Sequence, residues 1–175
     1  MNLSKHFTIE ELTYSDTAIK YHASNLPTEN HQKVLKHTCN YFLEPLRELL
    51  NKHFVNKKYL GQNIKNVIIR ITSGYRSKLV NSLLREEGFH PSDTSQHCTG
   101  EAIDLEVVLI SYNSVRMVLP YTQTFDLIKN WCLKTNQLSV DQCILEKDGF
   151  YTWVHCSYSA WGKTKNRLQF KSLTY

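Results

Sequence analysis

The sequence predicts a single domain that mixes helices and strands. The chain has 175 residues, a length at which one hydrophobic core buries about two thirds of the unfolded surface. Apolar residues recur at helical spacing in several segments, whereas other segments are short runs rich in β-branched and aromatic residues. The chain is 41% hydrophobic, and no apolar run approaches the roughly 20 residues that span a bilayer. We therefore expect one soluble domain over residues 1–175, without stable membrane association.

Four segments carry helix signals. Thr8 can cap a short first helix, and Glu11 three residues later can reach back to complete the cap. A long helix is expected after Pro27, bent or restarted at Pro45, which has no amide hydrogen to donate. The remaining two helices are expected after Ser77, ending before Gly88, and over the apolar positions from Phe125 to Leu133.

Strand signals follow the same order along the chain. Val67–Ile71 is β-branched enough for a buried strand, and the residues from Ala102 to Val108 alternate as a second strand. Two further runs, 140–145 and 151–157, are joined by a turn that contains Asp148 and Gly149, which predicts a hairpin. A register symmetrical about that turn puts one set of side chains on one face: Glu146, Tyr151, Trp153 and His155. No element is predicted after Ser157.

Composition narrows the functional classes. Five cysteines without a C-x-x-C pair favour reduced thiols, and residues 1–7 lack the apolar core of a secretory signal. We therefore expect a protein that is cytoplasmic when it is made and that reaches a cell wall only if released, as in a phage. The net charge of +5 is dispersed, without a run of five like charges, so a nucleic-acid partner is not expected.

A metal site is indicated by the segment from Ser95 to Asp104. Imidazole nitrogen and carboxylate oxygen are both ordinary zinc ligands, and here His97 and Asp104 are separated by a turn that Gly100 permits. The small Ala102 faces the same way as Asp104 along the strand and leaves room for an ion. The order of polar, small and ligand residues predicts that His97 and Asp104 bind one metal ion.

His155 is the expected third ligand, because it lies in a strand near the end of the chain and completes the set. Three protein ligands leave a fourth position for water, as in catalytic rather than structural zinc sites. Zinc would then activate the water for attack on a carbonyl group. Thiolates also bind zinc, so Cys98 and Cys156 remain alternatives, although their position next to strand ligands favours core roles.

Two further roles need filling around such a metal. Arg76, at the end of the first strand, can steady a substrate carboxylate or a developing oxyanion. A carboxylate must carry the proton from water to the leaving amine, and we expect Glu146, with Asp148 as the second choice. A solvated acid at a hairpin turn is the alternative interpretation.

These residues resemble the zinc D-Ala-D-Ala carboxypeptidase family of cell-wall peptidases, whose fold is shared by the signalling domain of Hedgehog proteins. The likeness is closest to small single-domain members from bacteria and phages. It extends along most of the chain and rests on six segments: Leu3-Ser4-Lys5-His6-Phe7-Thr8 with Glu11-Leu12, Leu43-Glu44-Pro45-Leu46-Arg47, Thr72-Ser73-Gly74-Tyr75-Arg76-Ser77, Ser95-Gln96-His97 with Gly100 and Ala102-Ile103-Asp104, Trp153-Val154-His155, and Asn166-Arg167.

The resemblance implies one α+β domain with an antiparallel sheet flanked by helices. It implies zinc on His97, Asp104 and His155, with Arg76 as substrate anchor or transition-state stabiliser and Ser95 lining the pocket. The implied substrates are peptidoglycan stem peptides cleaved near D-alanine, and we expect either a carboxypeptidase or an endolysin-like endopeptidase. We also expect Trp153 to contact the substrate. Several relatives carry a glutamate three residues before the last ligand, where this chain has Thr152. That departure favours one rival, a zinc-containing binding module without turnover, and the basic charge suggests another, a nucleic-acid-binding protein.

Overall fold

The protein combines a twisted sheet with helices, and its computed structural model describes residues 1–159 and 166–175. The strands are β1 (Lys58–Tyr59), β2 (Gln62–Ser73), β3 (Ala102–Ser111), β4 (Arg116–Val118), β5 (Gln142–Asp148), β6 (Tyr151–Ser157) and β7 (Gln169–Thr174). The helices are α1 (Ile9–Thr13), α2 (Asp16–Lys20), α3 (Glu29–Thr38), α4 (Glu44–Phe54), α5 (Lys78–Glu86) and α6 (Tyr121–Leu133). Within this described part, no helix is long and apolar enough to cross a membrane.

The strands are ordered β1-β2-β3-β6-β5-β7, with β4 paired to β3. Every pair is antiparallel except β5 and β7, which run parallel. The expectation of an antiparallel sheet is therefore wrong at this edge, and the prediction of no element after Ser157 is also wrong. Strand β7 carries little signal in the sequence, because it is an edge strand whose exposed and half-buried residues do not alternate.

The predicted long helix is interrupted at the proline. A π-helical turn, Cys39–Leu43, joins α3 to α4, and the amide of Glu44 donates to the carbonyl of Cys39. The wider turn shifts the hydrogen-bonding pattern by one residue just before Pro45, which could not have donated in an α-helix. The prediction of a restart at Pro45 is confirmed, and so is the cap of α1, where Thr8 and Glu11 bond reciprocally.

The core lies against one face of the sheet. Side chains such as Leu105, Val154 and Cys156 point to that face and are fully buried, where α4 packs on β2 and α6 packs on β5 and β6. Since alternate residues of a strand face opposite ways, Asp104 and His155 point to the other face. That face forms the floor of a cleft of about 1000 Å³.

The β5–β6 hairpin has a different register from the symmetrical one expected. Asp148 pairs with Tyr151 and Glu146 pairs with Trp153, so the turn is formed by Gly149 and Phe150. The shift of two residues leaves every side chain on its predicted face, because the strand repeat is also two residues. It moves Glu146 closer to His155, which pairs with Ile144.

Candidate metal centre and cleft

Two of the three candidate ligands are held opposite each other by the sheet. Asp104 on β3 pairs directly with His155 on β6, and their side chains meet at 3.0 Å between Oδ1 and Nδ1. On its other side Asp104 pairs with Ser73, the last residue of β2. Ladder hydrogen bonds on both flanks therefore fix the backbone of Asp104.

The third candidate, His97, lies off the sheet in a 3₁₀ turn, Gln96–Thr99. The hydroxyl of Ser95 caps this turn by accepting from the His97 amide at 3.3 Å, and Gly100 ends it with a φ of 82°. The amide of Arg76 donates to the His97 carbonyl at 3.2 Å. The turn is thus tied to the chain segment that leaves β2.

The His97 ring is oriented by a backbone carbonyl. Nδ1 of His97 lies 2.7 Å from the carbonyl oxygen of Gly74, and because a carbonyl only accepts, Nδ1 carries the proton. Nε2 then presents its lone pair towards Asp104 Oδ1 at 3.3 Å and His155 Nδ1 at 3.2 Å. A histidine that binds metal characteristically donates its other N–H to such a partner.

The glycine at position 74 is required by close packing. A Cβ atom there would lie 2.3 Å from the carbonyl oxygen of Leu12 in α1, whereas real side-chain atoms do not approach that closely. The same Leu12 carbonyl accepts a hydrogen bond from the amide of Tyr75 at 2.7 Å. Helix α1 therefore packs directly against the segment whose carbonyl orients His97.

The three side chains fit a zinc ion. Their ligand atoms are two imidazole nitrogens and a carboxylate oxygen, all within 4.8 Å of one another, and the measured spacings are 3.0–3.3 Å. Two ligands at the usual zinc distances, about 2.0–2.1 Å, lie roughly 3.3–3.4 Å apart in tetrahedral geometry. His97, Asp104 and His155 can thus hold a metal, and neither Cys98 nor Cys156 joins the cluster; Cys156 contacts Cys143 on the core side, with the sulfur atoms 3.8 Å apart.

Electrostatics keep His97 and Asp104 in their metal-binding forms. Burial lowers the pKa of His97 to about 4, against the attraction of Asp104, so its imidazole is neutral at pH 7. Burial opposes the ionisation of Asp104, but His97 and His155 outweigh it and hold the pKa of the carboxyl below its usual range. Metal binding requires neutral imidazole and ionised carboxylate, and both are present at neutral pH.

The other predicted residues also line the cleft. Glu146, Asp148, Ser95, Trp153 and Arg76 all border it. Glu146 lies diagonally across the strand pair from His155, a position at which side chains can still reach each other, whereas Asp148 lies two residue pairs closer to the turn.

Burial changes the electrostatics of both Glu146 and Arg76. Burial raises the pKa of Glu146, and Tyr175 donates a hydrogen bond to its Oε2 at 3.3 Å. Burial also lowers the pKa of Arg76, against the attraction of Asp104. Within the described residues, Nε of Arg76 is buried without a hydrogen-bond partner. A partly buried guanidinium with an unused donor suits an anionic ligand.

Several groups that support the site were not predicted from the sequence. Their contacts join residues far apart in the chain and leave no local pattern, although Gly74 and the pair Asn166-Arg167 belong to recognisable motifs. The missed groups are the Gly74 carbonyl, the Tyr175 hydroxyl, and the set formed by Gln96, Asp141 and Arg167.

Residues 5–133 match the model of the family described as peptidase M15. The chain belongs to the peptidase M15 family. Members are zinc-dependent and D-Ala-D-Ala carboxypeptidase-like, which makes the protein a metallopeptidase. The matched region includes His97 and Asp104 but ends before His155, so the third ligand rests on the geometry above. No curated protein and no solved structure matches the chain.

Proposed function

We propose that the protein is a zinc peptidase that hydrolyses peptidoglycan stem peptides near D-alanine, as a carboxypeptidase or as an endolysin-like endopeptidase. The observation that supports it most is the meeting of His97, Asp104 and His155 on the floor of a cleft that also contains Arg76 and Glu146. A zinc ion bound by the three ligands would supply a Lewis acid that activates water and polarises the scissile carbonyl.

Glu146 is the group placed to move the proton. Its raised pKa brings it closer to neutral pH than an exposed glutamate, which suits a group that accepts a proton from water and then gives it to the leaving amine. Its diagonal position beside His155 puts it within reach of the reacting centre. In this proposal Glu146 replaces the glutamate that several relatives carry at the position of Thr152.

Arg76 is the group placed to hold negative charge. Its partly buried guanidinium lies near Asp104 and Glu146, but among the described residues its Nε has no hydrogen-bond partner, which leaves this donor available to a substrate. A substrate carboxylate or the developing oxyanion would use the free Nε donor. Trp153, opposite Glu146, and Ser95 would contact the peptide along the cleft.

The cleft is large enough for several residues of a peptide. A volume of about 1000 Å³ lies at the upper end of the range for pockets that enclose drug-sized ligands, about 300–1,000 Å³. The peptide can therefore extend on either side of the cleaved bond, and the cleft volume fits both an exopeptidase and an endopeptidase.

The test combines metal content with hydrolysis. The wild-type protein and its His97→Ala variant are loaded with zinc, and a stem peptide that ends in D-alanine is followed by mass spectrometry. We expect one zinc per chain and cleavage in the wild type, with both lost in the variant; the product mass identifies the bond. Zinc without cleavage of free or wall-attached peptide would instead identify the binding module.

A further inference from the structure

A buried carboxylate connects the sheet to the turn that carries His97. Asp141 directly precedes β5, and its side chain is 3% exposed. Its amide donates to the carbonyl of Ser157 at 2.8 Å, which anchors Asp141 beside the strand that carries His155. Its Oδ2 accepts a hydrogen bond from Nε2 of Gln96 at 3.1 Å, and Gln96 is the residue before His97.

Arg167 binds the Asp141 carboxylate through two nitrogen atoms of its guanidinium group. Nε donates to Asp141 Oδ1 at 2.8 Å and Nη2 donates to Oδ2 at 2.5 Å. The backbone amide of Arg167 adds a bond to Oδ1 at 3.1 Å. With Gln96, four donors surround one buried carboxylate, so its orientation is fixed.

The arrangement acts on the ligand that the sheet does not hold. Asp104 and His155 are set by strand pairing, whereas His97 depends on contacts made by its turn. The Gly74 carbonyl fixes the ring and the Arg76 amide fixes the carbonyl of His97. The hydrogen bond between Gln96 and Asp141 links the His97 turn to the β5–β6 strand pair, which includes His155.

We propose that Arg167 and Asp141, acting through Gln96, are positioning residues that set the distance between His97 and the two sheet ligands. This inference rests on the proposed function for its metal but predicts a quantity that hydrolysis does not measure, the zinc affinity. Partners that orient metal ligands typically change metal affinity by about 10–100-fold when they are removed. We therefore expect losses in that range.

The experiment measures the zinc dissociation constant by competition with a chelator, together with the thermal midpoint of the metal-free protein. The variants are Gln96→Leu, which removes the donor while keeping most of the volume, and Arg167→Ala. Both are expected to bind zinc about 10-fold more weakly or worse. Gln96→Leu should leave the thermal midpoint close to that of the wild type, and it carries the test if Arg167→Ala does not fold.

Arg70→Ala is the matched control. Arg70 also pairs an exposed guanidinium with a buried sheet carboxylate, Glu106, at 2.6 Å, but no hydrogen bond described for this pair leads to the His97 turn. Its zinc affinity should equal that of the wild type. An equal loss in Arg70→Ala and Arg167→Ala would overturn the inference, since general destabilisation would then explain both.

The two proposals fail in different ways. If the wild type binds zinc and cleaves the stem peptide while Gln96→Leu binds zinc equally tightly, the positioning role is wrong and the proposed function stands. If the wild type binds zinc without cleaving, the proposed function is wrong, while a weaker Gln96→Leu still supports the positioning role. A wild type that binds no zinc overturns both.

Discussion

The carbonyl oxygen of Gly74 accepts a hydrogen bond from Nδ1 of His97 at 2.7 Å, and the same glycine packs against the carbonyl of Leu12 with no room for a side chain. The orientation of a metal ligand therefore depends on how closely an N-terminal helix approaches the end of β2.

Gly74→Ala should weaken both the fold and the metal site. The added methyl group must displace the Leu12 backbone, an overpacking that typically costs about 1–3 kcal/mol, and the shift moves the carbonyl that orients His97. Chemical denaturation and zinc affinity would both report it. Gly61→Ala is the control, since Gly61 has a φ of 78° but no neighbour within 4 Å: it should lose some stability and no zinc affinity.

Glu146→Gln should abolish hydrolysis while zinc stays bound. The amide keeps the shape of the side chain but cannot accept the proton, and loss of a general base typically lowers kcat by about 10²–10⁴-fold. Asp148→Asn is the matched variant, because Asp148 borders the same cleft two residue pairs nearer the turn. If the Asn variant were the inactive one, the two roles would have to be exchanged.

Arg76→Lys should lower kcat/KM by about 10²-fold at unchanged zinc content. Lysine keeps the positive charge but lacks the planar fork that holds a carboxylate or an oxyanion with two bonds. Arg70→Lys, on an exposed guanidinium in another ion pair, should leave the kinetics unaltered. Full activity in Arg76→Lys would mean that only charge, and not geometry, is needed at this position.

Tyr175→Phe should shift the acid limb of the pH–rate profile to higher pH. The Tyr175 hydroxyl donates to Glu146 and stabilises its charged form, so its loss raises the pKa of Glu146 further above the ordinary value. Since the base works only when deprotonated, activity on the acidic side falls first. Tyr151→Phe, at another tyrosine of the cleft, serves for comparison, and an equal shift in both variants would contradict the assignment.

Asp141→Asn should destabilise the protein near pH 7 but much less in acid. Hydrogen bonds from Arg167, working against burial, hold the pKa of Asp141 below its usual range. A carboxyl with a depressed pKa stabilises the fold above its unfolded pKa of about 3.9, and the contribution is lost as the pH falls through the folded pKa. We expect a loss of about 1.5–3 kcal/mol at pH 7, measured by urea unfolding.

The urea-unfolding measurement on Asp141→Asn needs a control at an exposed aspartate. Asp126→Asn changes an exposed aspartate on α6 and should alter the stability at pH 7 by no more than about 0.5 kcal/mol, as surface substitutions usually do. A gap for Asp141→Asn that stays constant on acidification would show that the charge of Asp141 contributes nothing to stability.

Local patterns predicted much of this molecule. The caps at Thr8 and Ser77, the interruption at Pro45 and the hairpin before His155 are all encoded within a few residues, and the structure contains each of them. The segment from Ser95 to Asp104 placed His97 and Asp104 together because a turn leading into a strand leaves them few other arrangements.

What the sequence did not predict depends on contacts between distant segments. The hairpin register was misplaced by two residues because Asp148-Gly149 is a stronger turn signal than Gly149-Phe150, which the chain uses. The parallel pairing of β7 has no local signature, and neither has the bond from Arg167 to Asp141, 26 residues away in the chain. Such groups are recognised only when the fold brings them together.

The direct pairing of Asp104 with His155 also makes the metal a reporter of correct folding. Their strand neighbours, such as Leu105 and Val154, fill the core on the opposite face. A slip of β6 by one residue would reverse its faces, moving the imidazole into the core and an apolar side chain into the cleft. A chain slipped in this way therefore cannot bring His155 to Asp104, and zinc capture during refolding would leave such molecules uncounted.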